Sequence, residues 1–159
     1  AFNTMRLTCL DPLLKDLIYL VTRDEARHVT FGVNYLEYIV KHLSPAEIEE
    51  RAQFAYEACV VMRERLIATE VFAEFGWDVE AARKHMLESS VMQYFNKFLF
   101  TRIIPNLARI GLLTDSVRPK FEALGILEYE NLVSDGYIDW AVLSESLYQE
   151  TASEVDILP

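Results

Sequence analysis

From Pro12 onward the chain repeats apolar residues every three or four positions, the period of a helix face and not the alternation of a strand. Glycine and proline number only 5 each, so the pattern predicts an all-α fold whose helix ends can be read from sparse punctuation. Asp11-Pro12 sets a capping side chain before a proline in the first turn and predicts a helix running to about Leu43. Ser44-Pro45-Ala46-Glu47 has the form of a capping box and predicts a second helix ending near Gly76. Asp78 caps a third helix through Met86, Tyr94 and Phe98 towards Pro105, where proline should kink or end it, and Gly111 closes the segment. Beyond it, Pro119, Gly125 and Gly136 separate short apolar clusters that predict small helices and turns wrapped over a main bundle. Residues 144–159 are acidic and weakly patterned, the mark of a loosely held tail.

No internal repeat or low-complexity linker divides the 159 residues, which fit one helical domain, 1–159, with a real core. Its first two helices, about thirty residues each with a short turn between them, would form an antiparallel pair about 45 Å long. Such pairs are the raw material of a helical bundle.

Composition removes several classes of function. The chain carries 15 Lys plus Arg against 25 Asp plus Glu, a formal net charge of -10 that would repel a phosphate backbone, so nucleic acid is not an expected partner. No apolar run approaches the roughly 20 residues that cross a bilayer, and no basic-then-apolar leader opens the chain, so neither membrane insertion nor secretion is expected. The 2 cysteines, Cys9 and Cys59, make no disulfide framework at this size and suit a reducing, cytoplasmic setting.

The candidate chemistry lies on the first long helix, in Arg23-Asp24-Glu25-Ala26-Arg27-His28-Val29-Thr30-Phe31-Gly32. With Glu25 as the origin of a wheel at about 100° per residue, Leu14, Ile18, Val21, His28, Val29, Gly32, Leu36, Ile39 and Leu43 fall within roughly 60° of it. Glu25 and His28 therefore sit in the middle of an apolar stripe that the pattern assigns to the interior. A lone buried carboxylate costs several kcal/mol unless it is paired, protonated or bound to a cation. Residues three apart on a helix have Cβ atoms about 5–6 Å apart, so an E-x-x-H can offer an oxygen and a nitrogen to one metal ion. The same spacing fits a buried Glu–His hydrogen-bonded pair, or a helix rotated to leave both in water. The zinc-protease pattern fails because position 24 is Asp, and the sequence has no Gly-rich phosphate loop and no G-x-S-x-G elbow.

Asp24-Glu25-Ala26-Arg27-His28 followed by Val29-Thr30-Phe31-Gly32 resembles the second metal motif of the ferritin-like di-iron carboxylate proteins. The likeness is greatest to the branch of the ribonucleotide reductase small subunit and the di-iron oxidases and oxygenases. It is strongest from Asp11 to about Leu43 and rests on helical character alone beyond that. In that family a four-helix bundle holds two irons with one carboxylate from each of two helices and an E-x-x-H from each of the other two. The resemblance implies that Glu25 bridges the metals and His28 is a terminal ligand. It further implies that Asp24 hydrogen-bonds the histidine of the partner motif, while Arg27 faces solvent or a surface ion pair. Gly32 would leave room for a neighbouring helix or substrate.

The chain departs from that pattern because it has no second E-x-x-H; its other histidines are His42, at a helix end, and His85, which with Glu88 points away from the stripe of Val91, Tyr94 and Phe98. The opening Ala1-Phe2 looks like the end of the helix that carries a further ligand in the family, and the chain is expected to match the C-terminal half of such a protein. The implied cofactor is a pair of irons, or manganese and iron, and the implied activity is oxidation of a small organic substrate by dioxygen. Partners would be a second copy, with Glu70 a weak candidate ligand, or a chain carrying the N-terminal half. The alternative is a metal-free helical oligomerisation module. Iron storage fits less well, because the last fifty or so residues are broken into short segments.

Overall fold

The computed structural model describes residues 5–6, 9–65 and 67–137, and within them every regular element is helical. The order is α1 Pro12–Val40, α2 Pro45–Glu64, α3 Thr69–Glu74, α4 Val79–Glu88, α5 Ser90–Ile110 and α6 Arg118–Ala123, then single 3-10 turns at Leu127–Tyr129 and Asp135–Tyr137. No helix among the described residues is long and apolar enough to cross a membrane. The chain divides into two compact units, Glu37–Val133 on the one hand and Ala1–Leu36 with Ser134–Pro159 on the other. The acidic tail expected at 144–159 lies outside the described residues.

In the unit of residues 37–133, the local signals explain most boundaries. Ser44 is extended and caps α2: its Oγ accepts from Glu47 N at 3.3 Å while the Glu47 carboxylate accepts from Ser44 N at 2.8 Å. These two bonds satisfy donors that the first turn leaves open, and bonding to Ser44 holds the Glu47 carboxyl below its usual range. The helix ends at Glu64 and not near Gly76; α3 follows as a separate element and Gly76, at φ 68°, closes it. At that turn Trp77 stacks on Phe72, centroids 5.8 Å apart, with Phe75 beside it at 5.7 Å, and both Phe75 and Trp77 are mostly exposed.

The third predicted helix is two. Asp78 Oδ1 accepts from Ala81 N at 3.0 Å and caps α4, but Ser89 (ψ 143°) leaves the helical region and its Oγ caps a new helix, α5, by accepting from Met92 N. Pro105 was expected to kink or end the helix, yet α5 runs on to Ile110, where Gly111 takes the left-handed conformation, φ 83°. Pro105 is itself fully buried, so packing on that face offsets the one backbone bond a proline forgoes. The buried stripe of α5 is Met92, Phe100, Ile104, Leu107 and Ile110, whereas Val91, Tyr94 and Phe98, expected to mark it, are exposed.

That stripe meets Ala52 and Cys59, seven residues apart on one face of α2, together with Val40, Leu112, Val117, Phe121 and Ile126 in one continuous core. Phe121 packs edge-on to Tyr56 with centroids 5.6 Å apart. Ion pairs fasten the edges: Arg118 Nη2 to Glu130 Oε2 at 2.6 Å joins α6 to the turn after it, and Arg109 Nε to Glu37 Oε2 at 2.8 Å joins α5 to the last turn of α1. Arg109 is the leading cause that holds the Glu37 carboxyl below its usual range. Burial pushes the Cys59 thiol up to about 11.

In the other unit, the 29-residue α1 starts where Asp11 Oδ1 accepts from Leu14 N at 3.0 Å. Ile18, Thr30 and Val33 are its buried positions here. Thr30 Oγ1 donates to the Asp135 carbonyl at 2.8 Å, which ties the turn of buried Ser134 and Asp135 to the helix. α1 stops at Val40, one turn short of the expected Leu43, because the bonds from His42 N to Ile39 O and from Leu43 N to Val40 O close the turn instead.

Candidate metal site on the first helix

Asp24, Glu25, Arg27 and His28 all project from α1 into solvent. Glu25 Oε2 lies 3.8 Å from His28 Nδ1, with the side chains 57% and 76% exposed, and Asp24 Oδ1 lies 3.4 Å from Arg27 Nη1. The sequence placed Glu25 and His28 in a buried stripe, and the structure corrects this. The positions that pack in residues 1–36, Ile18, Thr22, Ala26, Thr30 and Val33, are buried or half-buried and centre about 80° round the helix from Glu25. The other face stays open: Leu14, Leu17, Val29, Phe31, Tyr35 and Leu36 are each 41–71% exposed. The reason is compositional. Apolar side chains cover most of the circumference of α1, so periodicity marks two candidate faces and cannot choose between them. Gly32, read as room for a neighbour, has open space around it: a Cβ there would meet nothing within 4 Å.

Chemically the pair is a partial ligand set. Two donor atoms on one ion, each about 2.0–2.2 Å from it, stand about 3 Å apart, and two exposed side chains can close from 3.8 Å by rotamer adjustment alone. Among the described residues no three His, Cys, Asp or Glu converge to hold a metal. Glu70, His85 and Glu88 are exposed, and His42 Nδ1 is 2.9 Å from the Tyr38 carbonyl with its ring against the Tyr38 ring. The structure thus brings Glu25 to His28 and Asp24 to Arg27, and adds no third ligand among the described residues.

The sequence reading passed over a second feature, an open two-lobed cleft in residues 37–133. Its lobes hold about 600 and about 290 Å³ and share Arg63, Leu87 and Gln93. Its basic residues come singly or in pairs from α2, α4 and α5, so no local motif announces them. Their only signal was basic residues scattered through a chain of net charge -10. No protein-family model, no curated protein and no solved structure matches the chain.

Proposed function

We propose that this chain supplies one E-x-x-H motif, Glu25 with His28, to a ferritin-like di-iron carboxylate oxidoreductase whose site a second polypeptide completes. One observation carries the reading: a carboxylate and an imidazole stand side by side, 3.8 Å apart, in the middle of a broad helix face whose apolar side chains are exposed. Exposed apolar area of that extent favours association, and a helix laid on this face would enclose the pair. Once enclosed, a carboxylate needs a counter-charge, and a cation shared with His28 provides one.

In this reading Glu25 and His28 would both hold metal, the carboxylate as the shared ligand and the imidazole as a terminal one. Asp24 exchanges its exposed partner Arg27 for the histidine of the other motif and so fixes that ring. The completing chain is a second copy or one that carries the N-terminal half of the bundle. Iron, or manganese with iron, suits carboxylate and imidazole donors and would supply the oxidation of a small organic substrate by dioxygen. The free thiols Cys9 and Cys59 suit a reducing cytoplasm.

A second reading, a metal-free helical oligomerisation module, draws support from the absence of a third ligand among the described residues and from the mutual pairing of Asp24 with Arg27 and of Glu25 with His28. Elemental analysis separates the two. Protein loaded anaerobically with Fe(II) is compared with a Glu25→Ala, His28→Ala variant, and oligomeric state is recorded by light scattering. Near-stoichiometric iron that the variant loses supports the half-site. Association without metal in both proteins supports the module and overturns the di-iron reading.

A further inference from the structure

On α1 the exposed residues keep a stricter rhythm than the helix as a whole. Leu17, Asp24 and Phe31 recur every seventh position, and so do Leu13, Leu20, Arg27 and Asn34, all of them exposed. Two such rows, offset by three and four residues, make the 3.5-residue repeat that keeps a seam turned towards a second helix. The seam runs along the side of α1 away from its packed positions, Ile18, Thr22, Ala26, Thr30 and Val33. Leu13, Leu17, Leu20 and Phe31 are 79, 56, 45 and 71% exposed, and Leu14 and Tyr35 flank them at 41 and 54%. Covering these six would remove on the order of 600 Å² of apolar surface per chain, close to the about 800 Å² per partner of a standard specific interface. A face of that size suits a dimer that dissociates on dilution.

Charge decides what covers it. At the middle of the seam stand Asp24 and Arg27, 3.4 Å apart within the helix and 62% and 56% exposed. Two parallel copies would set Asp24 on Asp24 and Arg27 on Arg27. Antiparallel copies set each Asp24 on the Arg27 of the other, twice across a two-fold axis. That register also brings Leu20 opposite Phe31 and Leu17 opposite Asn34, and it centres the pair between Glu25 and Ala26, at the middle of Pro12–Val40. A slip of one heptad in one direction sets Asp24 and Arg27 on leucines, and in the other carries Leu13 and Leu17 past the end of the facing helix. We propose that α1 pairs with α1 of a second copy as an antiparallel coiled coil, its direction and register fixed by two Asp24–Arg27 pairs. A charged layer within a seam costs affinity and gains a single arrangement. The pairing uses the exposed side of α1 on which the half-site reading also rests, but it needs no metal, and it gives Asp24 to Arg27 where that reading gives it to a histidine.

The test is sedimentation equilibrium of the full chain in the presence of a chelator, where a monomer–dimer equilibrium is expected. Asp24→Arg alone, or Arg27→Asp alone, sets like charges together and should weaken the dimer about tenfold or more. The double reversal, Asp24→Arg with Arg27→Asp, should restore it. Mixed with an isotope-labelled wild-type chain and read by native mass spectrometry, the double reversal should form homodimers only, because an antiparallel mixed pair would again oppose like charges. Glu25→Ala with His28→Ala should dimerise as the wild type does. A chain that stays monomeric at every concentration, single reversals that leave the dimer unchanged, or mixed dimers formed as readily as homodimers would overturn the proposal. If one single reversal lowers the helicity, the other decides by the same criterion. Association that appears only with added Fe(II) would also overturn it while leaving the half-site reading standing, whereas a dimer in chelator that takes up no iron on loading supports the seam and counts against the half-site.

Discussion

The core of residues 37–133 rests heavily on α6, a helix of six residues that could not persist alone. Its Phe121 is fully buried within the cluster and edge-on to Tyr56, whereas Phe54 on α2 is 71% exposed. The same substitution at these two positions therefore isolates burial from chemistry. Phe121→Ala removes a fully buried ring and leaves a cavity, and such changes cost about 3–5 kcal/mol. Loss of the edge-to-face contact, worth about 0.5–1.5 kcal/mol, falls within that figure. Phe54→Ala removes a ring already in water and should stay within about 0.5 kcal/mol. In a chain of this size the first corresponds to a drop in Tm of roughly 6–20 °C, taking about 2–4 °C per kcal/mol. Urea unfolding followed by far-UV circular dichroism would measure both, the midpoint moving while the slope holds. A cost below about 1.5 kcal/mol for Phe121→Ala, or an equal cost at Phe54, would refute the placement of α6 in the core.

Other expectations follow from single contacts. Ser44→Ala removes the side-chain cap of α2 and should cost about 1 kcal/mol, seen as a lower urea midpoint. Arg109 depresses the Glu37 carboxyl, so this pair contributes stability above the unfolded value of about 4.5 and loses it as pH falls through the lower folded value; Glu37→Gln should flatten the acid limb of a stability-versus-pH curve, and an unchanged limb would exclude the pair as its source. Cys59, buried and with its thiol pushed up to about 11, should resist a thiol reagent at neutral pH until the protein unfolds, while the partly exposed Cys9 reacts in the native state; quantitative native labelling of Cys59, read by mass spectrometry of peptides, would contradict its burial.

The legible parts of the fold were those that local chemistry decides. The capping box at Ser44, the cap at Asp78 and the left-handed stop at Gly111 each act within a few residues, so sequence alone placed them. Ser89 was missed because its break depends on one hydroxyl that bonds the Met86 carbonyl and accepts from Met92 N, which reads in sequence as one more polar position on a helix. Pro105 misled in the opposite direction: its burial lets α5 continue where the local rule predicts a stop. The face of α1 was misjudged for a related reason. Thr30 and Ala26 look neutral by hydropathy, yet Thr30 is buried with its hydroxyl on Asp135, while the stripe richer in leucine stays open. Short spacings thus identified Glu25 and His28 as neighbours, but which side of the helix is covered depends on contacts distant in sequence.

The ring trio at the Gly76 turn makes the molecule its own optical reporter. Trp77 lies within 6 Å, centroid to centroid, of both Phe72 and Phe75 at interplanar angles of 20° and 31°. Aromatic rings locked in a fixed asymmetric arrangement give near-ultraviolet ellipticity, which vanishes when side-chain order is lost even if helices persist. Its indole is 58% exposed and neighbours Glu74, Asp78 and Glu80, so a neutral quencher such as acrylamide should reach it while iodide is held off by the surrounding negative charge. The contribution removed by Trp77→Phe would report loosening of this corner separately from the helical signal of the whole chain.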